Sequence, residues 1–112
     1  MNLRLYVLQR LTAALMAPLI IGHLVVIFYA TRKGLSAADI LARTRGSLAW
    51  ALFYGSFVLA AAVHGAIGVR SVASEWMPRS FRRNPRALDA LMWIFGLLLA
   101  GLGLRAVAAV VL

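Results

Sequence analysis

Apolar residues along this chain gather into three blocks separated by basic stretches. The blocks run from Leu11 to Ala30, from Leu48 to Val69 and from Leu88 to Leu112. Each reaches the roughly 20 residues that cross a hydrocarbon layer about 30 Å thick. In lipid a backbone must satisfy its own N–H and C=O groups, so each block predicts a helix. The expected spans are residues 7–30, 48–71 and 87–111 of a single membrane domain covering 1–112. The fold class that follows is an all-α membrane protein whose three transmembrane helices form half of a larger bundle. The first block is too long for the core of a signal peptide, and no small-residue cleavage motif clearly follows it, so it is expected to be retained.

Composition supports this picture. The chain is 63% hydrophobic, with a mean hydropathy of +0.89. A soluble domain of 112 residues has too little interior to hide so much apolar surface. Twelve Lys and Arg stand against Asp39, Glu75 and Asp89, a net charge of +9. These cations lie between and at the ends of the apolar blocks, as orientation signals do. A nucleic-acid-binding protein would carry them along one face of a soluble fold, so nucleic acid is not an expected partner. There is no cysteine, which excludes disulfides and thiolate-held clusters within the chain.

The linker MPRSFRRNPR, Met77 to Arg86, carries Arg79, Arg82, Arg83 and Arg86, with Pro78 and Pro85 expected to break helix at its two ends. Such a loop predicts a cytoplasmic location. The N-terminus, with Arg4 and Arg10, then lies on the same side. The first linker, Thr31 to Gly46, is also basic, but its Arg32, Lys33, Arg43 and Arg45 are more spread out. Its middle, LSAADILART, predicts a short interfacial helix capped by Ser36.

Two histidines, His23 and His64, fall inside apolar blocks. Ionisable groups there are expensive and point to function. Two readings stand side by side: a neutral imidazole hydrogen-bonded to a neighbouring helix, or a metal ligand. Ala61, His64, Gly65 and Gly68 share one helical face. Small residues there serve close packing, or leave room for a flat macrocycle beside an axial ligand, since bundle histidines commonly hold haem iron. Depth sharpens the second reading. With the first helix entering near Val7, His23 lies about 24 Å up, and with the second leaving near Ser71, His64 lies about 10 Å from the same side. The offset is roughly 14 Å, whereas two axial ligands of one iron are about 4 Å apart, by analogy with zinc–histidine bonds. Two ligands at these depths require two haems, each completed by another chain.

Three segments carry a resemblance: VLQRLTAALMAPLIIGHLVVIFYA (Val7–Ala30), HGAIGVRSVASEW (His64–Trp76) and GLRAVAAVV (Gly103–Val111). They resemble the membrane-anchor cytochrome b subunits of succinate:quinone oxidoreductases, the succinate dehydrogenase and fumarate reductase family. His64, Gly68, Arg70 and Glu75 fit a His-x3-Gly-x-Arg-x4-acid pattern, and Gln9, Arg10 and Thr12 resemble the family's His-Arg-x-Ser/Thr or Arg-x-Thr entry motif. The chain is similar to the second half of the fused, five-helix anchors of the two-haem branch.

That resemblance implies a set of roles. His64 would ligate haem b near the cytoplasmic side and His23 a second haem b near the outer side, both shared with a second haem-ligating anchor subunit. Gly65 and Gly68 would pack beside haem, and Arg70 and, more weakly, Arg105 would pair with propionates. Iron–sulfur and flavoprotein subunits would dock on the cytoplasmic face of a bacterial inner membrane. Electrons would pass between succinate and quinone, with the chain a non-catalytic subunit of this enzyme of the tricarboxylic acid cycle. A quinone site would use Arg10 and Trp76, with Tyr6 where the split single-haem enzymes have serine, or would lie near the outer surface.

Other residues have plainer readings. Arg10 and Arg70 also read as interfacial anchors, and Glu75 as a partner of Arg70 or of the basic loop. Met16 reads as packing. Trp50, Tyr54, Trp76 and Trp93 read as interfacial belt residues, and Gly96, Gly101 and Gly103 as a close helix contact. The rival to the cytochrome reading is a haem-free anchor or assembly subunit whose histidines pack or relay protons.

Overall fold

The computed structural model describes residues 2–112. Three long helices, α1 (Leu3–Lys33), α3 (Leu48–Trp76) and α5 (Pro85–Val111), are joined by two short ones, α2 (Ala37–Thr44) and α4 (Arg79–Arg82). All three long helices are long and apolar enough to cross a membrane. Each outruns its expected span. Hydropathy marks only the lipid-facing part, while the hydrogen-bond ladder continues until something caps it. Asn2 starts α1 by accepting from the Leu5 N–H. Gly34, at φ 61°, ends it with an N–H returned to Ala30 and Thr31 carbonyls, a left-handed conformation that favours glycine. α1 runs through Pro18, whose missing N–H leaves the Ala14 carbonyl without its helical donor.

The expected short helix is present. Ser36 and Asp39 form a reciprocal capping box at the start of α2. Pro85 departs from expectation. It occupies the first turn of α5 behind the Asn84 cap, where a fixed φ and a missing N–H suit a helix start. The prolines therefore bracket a further helical turn, α4.

α3 is central and packs on both α1 and α5. Its α5 face is built of small residues. A Cβ added at Gly96 would lie 3.0 Å from the Ala66 Cβ, and one at Gly103 would collide with Val58. Gly101 meets nothing and faces outward. The buried hydrophobic residues are mostly alanines (60, 62, 66 and 73), with Ile67, Leu88 and Val111, while many Leu and Ile side chains point out with Phe28, Trp76 and Trp93. This is the arrangement of helices that associate through close backbone approach within an apolar solvent.

α2 closes one end of the bundle. The Thr44 hydroxyl donates to the Val110 carbonyl at 2.6 Å, and the Gly46 N–H to the Val111 carbonyl at 2.8 Å. These are two of the carbonyls that α5 leaves without helical partners at its C-terminus. The Arg79–Arg86 loop lies at the other end.

Candidate functional site

His64 sits half-buried on the α1-facing side of α3. Its Nδ1 lies 3.2 Å from the Gln9 carbonyl oxygen and 3.3 Å from the Thr12 hydroxyl. That hydroxyl is itself 2.9 Å from the Leu8 carbonyl and 3.0 Å from that of Gln9. A carbonyl oxygen can only accept, so a proton on Nδ1 satisfies it, whereas a lone pair there would face another lone pair. The Thr12 proton has carbonyls of its own helix to bond, which leaves its oxygen free to accept from Nδ1 as well. The geometry therefore assigns the ring proton to Nδ1 and the lone pair to Nε2. The space beside the flanking glycines is shared with neighbours. A Cβ at Gly65 would lie 3.2 Å from Leu99, and one at Gly68 3.6 Å from the Gln9 side-chain amide.

His23 has a different setting. Its ring meets Tyr54 edge-on, centroids 5.8 Å apart, and Phe57 likewise at 5.7 Å. Its Nδ1 is buried without a hydrogen-bond partner among the described residues. The ring borders a groove of about 320 Å³ shared with Val58, Gly103, Ala106 and Val107. A buried polar nitrogen left unpaired among apolar walls is an exception that calls for an explanation, and it leaves the ring without the polar orientation that His64 has.

The two sites stand at different levels. His23 lies eleven residues beyond Thr12 on α1, and its contact Phe57 lies seven residues before His64 on α3. At 1.5 Å per residue the separation is about 11 to 17 Å. Contacts on both helices thus bracket the offset expected from counting, and one ion cannot bridge the pair.

The remaining candidates are dispersed. Arg70 donates from Nε to the Asp89 carboxylate at 2.8 Å, so its acidic partner is on α5 and is not Glu75, as the sequence suggested. Five residues turn a helix by about 140°, which points Glu75 away from the face that Arg70 presents to α5. Glu75 instead receives a long 3.5 Å contact on its backbone carbonyl from Arg82. Arg105 is exposed, with no ion pair among the described residues. Arg10 places its guanidinium 5.2 Å over the Tyr6 ring, a cation–π pair. Trp76, 81% exposed at the end of α3, is joined to that pair by no hydrogen bond or ring contact among the described residues.

Trp76 and Trp93 stand out from the bundle as belt residues do. Trp50 and Tyr54 do not. Half-buried, they stack at 5.6 Å with 20° between planes and line a second groove of about 430 Å³ with Tyr29 and Arg43. Tyr54 borders both grooves. The Thr12 contact of His64 and the aromatic wall of His23 are the features around the two histidines that sequence reasoning missed. Thr12 lies within the Gln9-Arg10-x-Thr12 stretch, which assigns it no contact, and the one-turn spacing of Tyr54 and Phe57 is the available signal.

A family model described as the succinate dehydrogenase/fumarate reductase transmembrane subunit matches residues 2–109. No curated protein and no solved structure matches the chain.

Proposed function

We propose that this chain, which belongs to the succinate dehydrogenase/fumarate reductase transmembrane subunit family, is a cytochrome b anchor of the two-haem type. It shares two haems b with a second anchor subunit and passes electrons between an iron–sulfur subunit and quinone. Membership of the family makes the chain a multi-pass membrane subunit of such a complex, with partner subunits and lipid around it. The finer reading rests on one observation. Two histidines occupy membrane helices at separate levels: His64 has its Nδ1 bonded to α1, which leaves the lone pair on Nε2, and His23 sits between aromatic rings with a buried Nδ1 that has no hydrogen-bond partner among the described residues.

Bound haem would supply reversible one-electron transfer. The chain's own residues do the rest. Gln9 and Thr12 orient the His64 ring. Tyr54 and Phe57 wall His23 and exclude water from it. Arg70 keeps guanidinium N–H groups beyond the one given to Asp89, suited to a propionate, and Arg105 is the corresponding cation nearer the α2 end. Each histidine would supply one ligand to haem iron, so a further ligand would come from the second anchor. The arginine-rich loop supports a cytoplasmic location for its end of the bundle, where iron–sulfur and flavoprotein subunits dock. His64 then lies nearer those subunits and His23 nearer the outer face. Quinone binds at the loop end, where the Arg10–Tyr6 pair and the Trp76 indole N–H offer donors. Succinate chemistry belongs to the partner subunits.

Reduced-minus-oxidised spectra of the purified complex test the reading, with His23→Ala and His64→Ala made separately. Each substitution is expected to remove one distinct haem. A haem-free wild-type complex with full activity overturns the scheme and leaves the histidines as packing groups.

A further inference from the structure

Thr12 is the one buried residue of α1, only 8% exposed on a helix whose large apolar side chains mostly face outward. The hydroxyl proton needs no partner helix. It is bonded by the carbonyls of Leu8 and Gln9, the back-bond that threonine makes in any membrane helix. Burial against α3 adds one further contact, the His64 Nδ1 at 3.3 Å. The Gln9 carbonyl approaches the same nitrogen at 3.2 Å, so two acceptors from adjacent turns of α1 converge on one N–H.

We propose that Thr12 is a positioning residue for His64. Together with the Gln9 carbonyl it accepts the Nδ1 proton, holds the ring in one tautomer and one orientation, and so reserves Nε2 as the ligating atom. This rests on the reading of His64 as a haem ligand. Hydrogen bonds from the far nitrogen of an axial imidazole raise the basicity of the ligating one. A more basic ligand favours the ferric state and lowers the potential. The chain thereby tunes the haem at the His64 level from α1, with no counterpart at His23, whose Nδ1 has no partner.

The test uses the assembled, haem-loaded complex. Thr12→Val keeps the branched side chain and removes the hydroxyl, and with it both the acceptor facing Nδ1 and the back-bond to the Leu8 and Gln9 carbonyls. The Gln9 carbonyl stays, so a shift and not a loss of haem is expected. The midpoint potential of the haem that His64→Ala removes should rise, and its low-spin ferric paramagnetic resonance signal should move. The other haem should be unchanged, and Thr12→Ser should restore both values. An unshifted signal and potential in folded Thr12→Val overturn the proposal, as does an equal change in both haems. A second measurement separates this from failure of the ligand reading. In complex assembled without haem, nitrogen-15 spectra should show the His64 proton on Nδ1, with a growing Nε2–H fraction in Thr12→Val. A wild-type ring protonated on Nε2 overturns the positioning role whether or not His64 binds haem.

Discussion

His23 and Tyr54 meet edge to face, their ring planes at 86°, across the antiparallel contact of α1 with α3. Phe57 repeats the contact one turn along α3, at 76°. The imidazole is held by two aromatic rings and no hydrogen bond to Nδ1, the reverse of His64, whose Nδ1 has two acceptors. The two histidines are thus prepared in opposite ways. His64 is oriented by polar partners. His23 is oriented by shape, and its buried, unpaired Nδ1 carries the desolvation cost of an unsatisfied polar group, about 1–3 kcal/mol.

Removing the shape should therefore loosen the His23 site alone. Tyr54→Ala deletes one wall of its groove and the stacking partner of Trp50. The ring is half-buried, so the destabilisation should fall below the ~3 kcal/mol typical of a fully buried aromatic. Haem quantification is expected to show partial loss at the His23 level and full occupancy at the His64 level. Tyr54→Phe keeps the ring and should retain both. Equal retention in Tyr54→Ala contradicts the role given to the wall.

The α3–α5 seam makes a sharper stability prediction. At Gly103 a Cβ would collide with Val58, so Gly103→Ala forces the helices apart, and overpacking of this kind costs about 1–3 kcal/mol. The double variant with Val58→Ala should recover much of it. At Gly101 a Cβ meets nothing, so Gly101→Ala should leave the fold of the chain within about 0.5 kcal/mol. Unfolding in detergent, monitored by circular dichroism, compares the two. Similar losses at both glycines argue against the seam described.

The Arg70–Asp89 pair ties α3 to α5 at the loop end, yet the Asp89 side chain is 53% exposed. Exposed ion pairs contribute about 1 kcal/mol or less. Asp89→Asn should lower stability by no more than that, and added salt should shrink the difference. Glu75→Gln should change nothing at this pair. A large effect of Glu75→Gln shows that Arg70 exchanges partners.

Much of this is legible in the sequence alone. Continuous apolar blocks had to be helices because lipid leaves backbone groups no other partner. The offset between His23 and His64 followed from counting residues along them. Helix ends were less legible, because α3 continues past Ser71 through Glu75 to a stop before Pro78, where hydropathy is silent. Azimuth was the other gap. All three spans are apolar around most of their circumference, so no amphipathic stripe shows which face meets a neighbour. Hence Thr12 opposite His64, Tyr54 on His23 and Asp89 on Arg70 all depended on knowing that α3 lies between α1 and α5. The angular separation of Arg70 and Glu75 was available and argued against pairing them.

The short helix α2 carries a pH dependence whose sign is set by its capping box. The Asp39 carboxylate accepts from the Ser36 backbone N–H at 2.9 Å and from its hydroxyl at 2.8 Å. These two bonds, the backbone one first, hold the Asp39 carboxyl below its ordinary value of 3.8, and Arg43 adds to the effect. A depressed folded value means that the box stabilises α2 above the ordinary carboxylate pKa. That contribution fades as pH falls through the lowered folded value. Amide hydrogen exchange in α2 should therefore be slow at neutral pH and quicken under acid, after allowing for the intrinsic rate. Asp39→Asn should flatten the response. Loosening of α2 also frees the Val110 and Val111 carbonyls bonded by Thr44 and Gly46, so the last turn of α5 should quicken with it. Acid exchange in α2 that follows the intrinsic rate, unchanged by Asp39→Asn, contradicts this coupling.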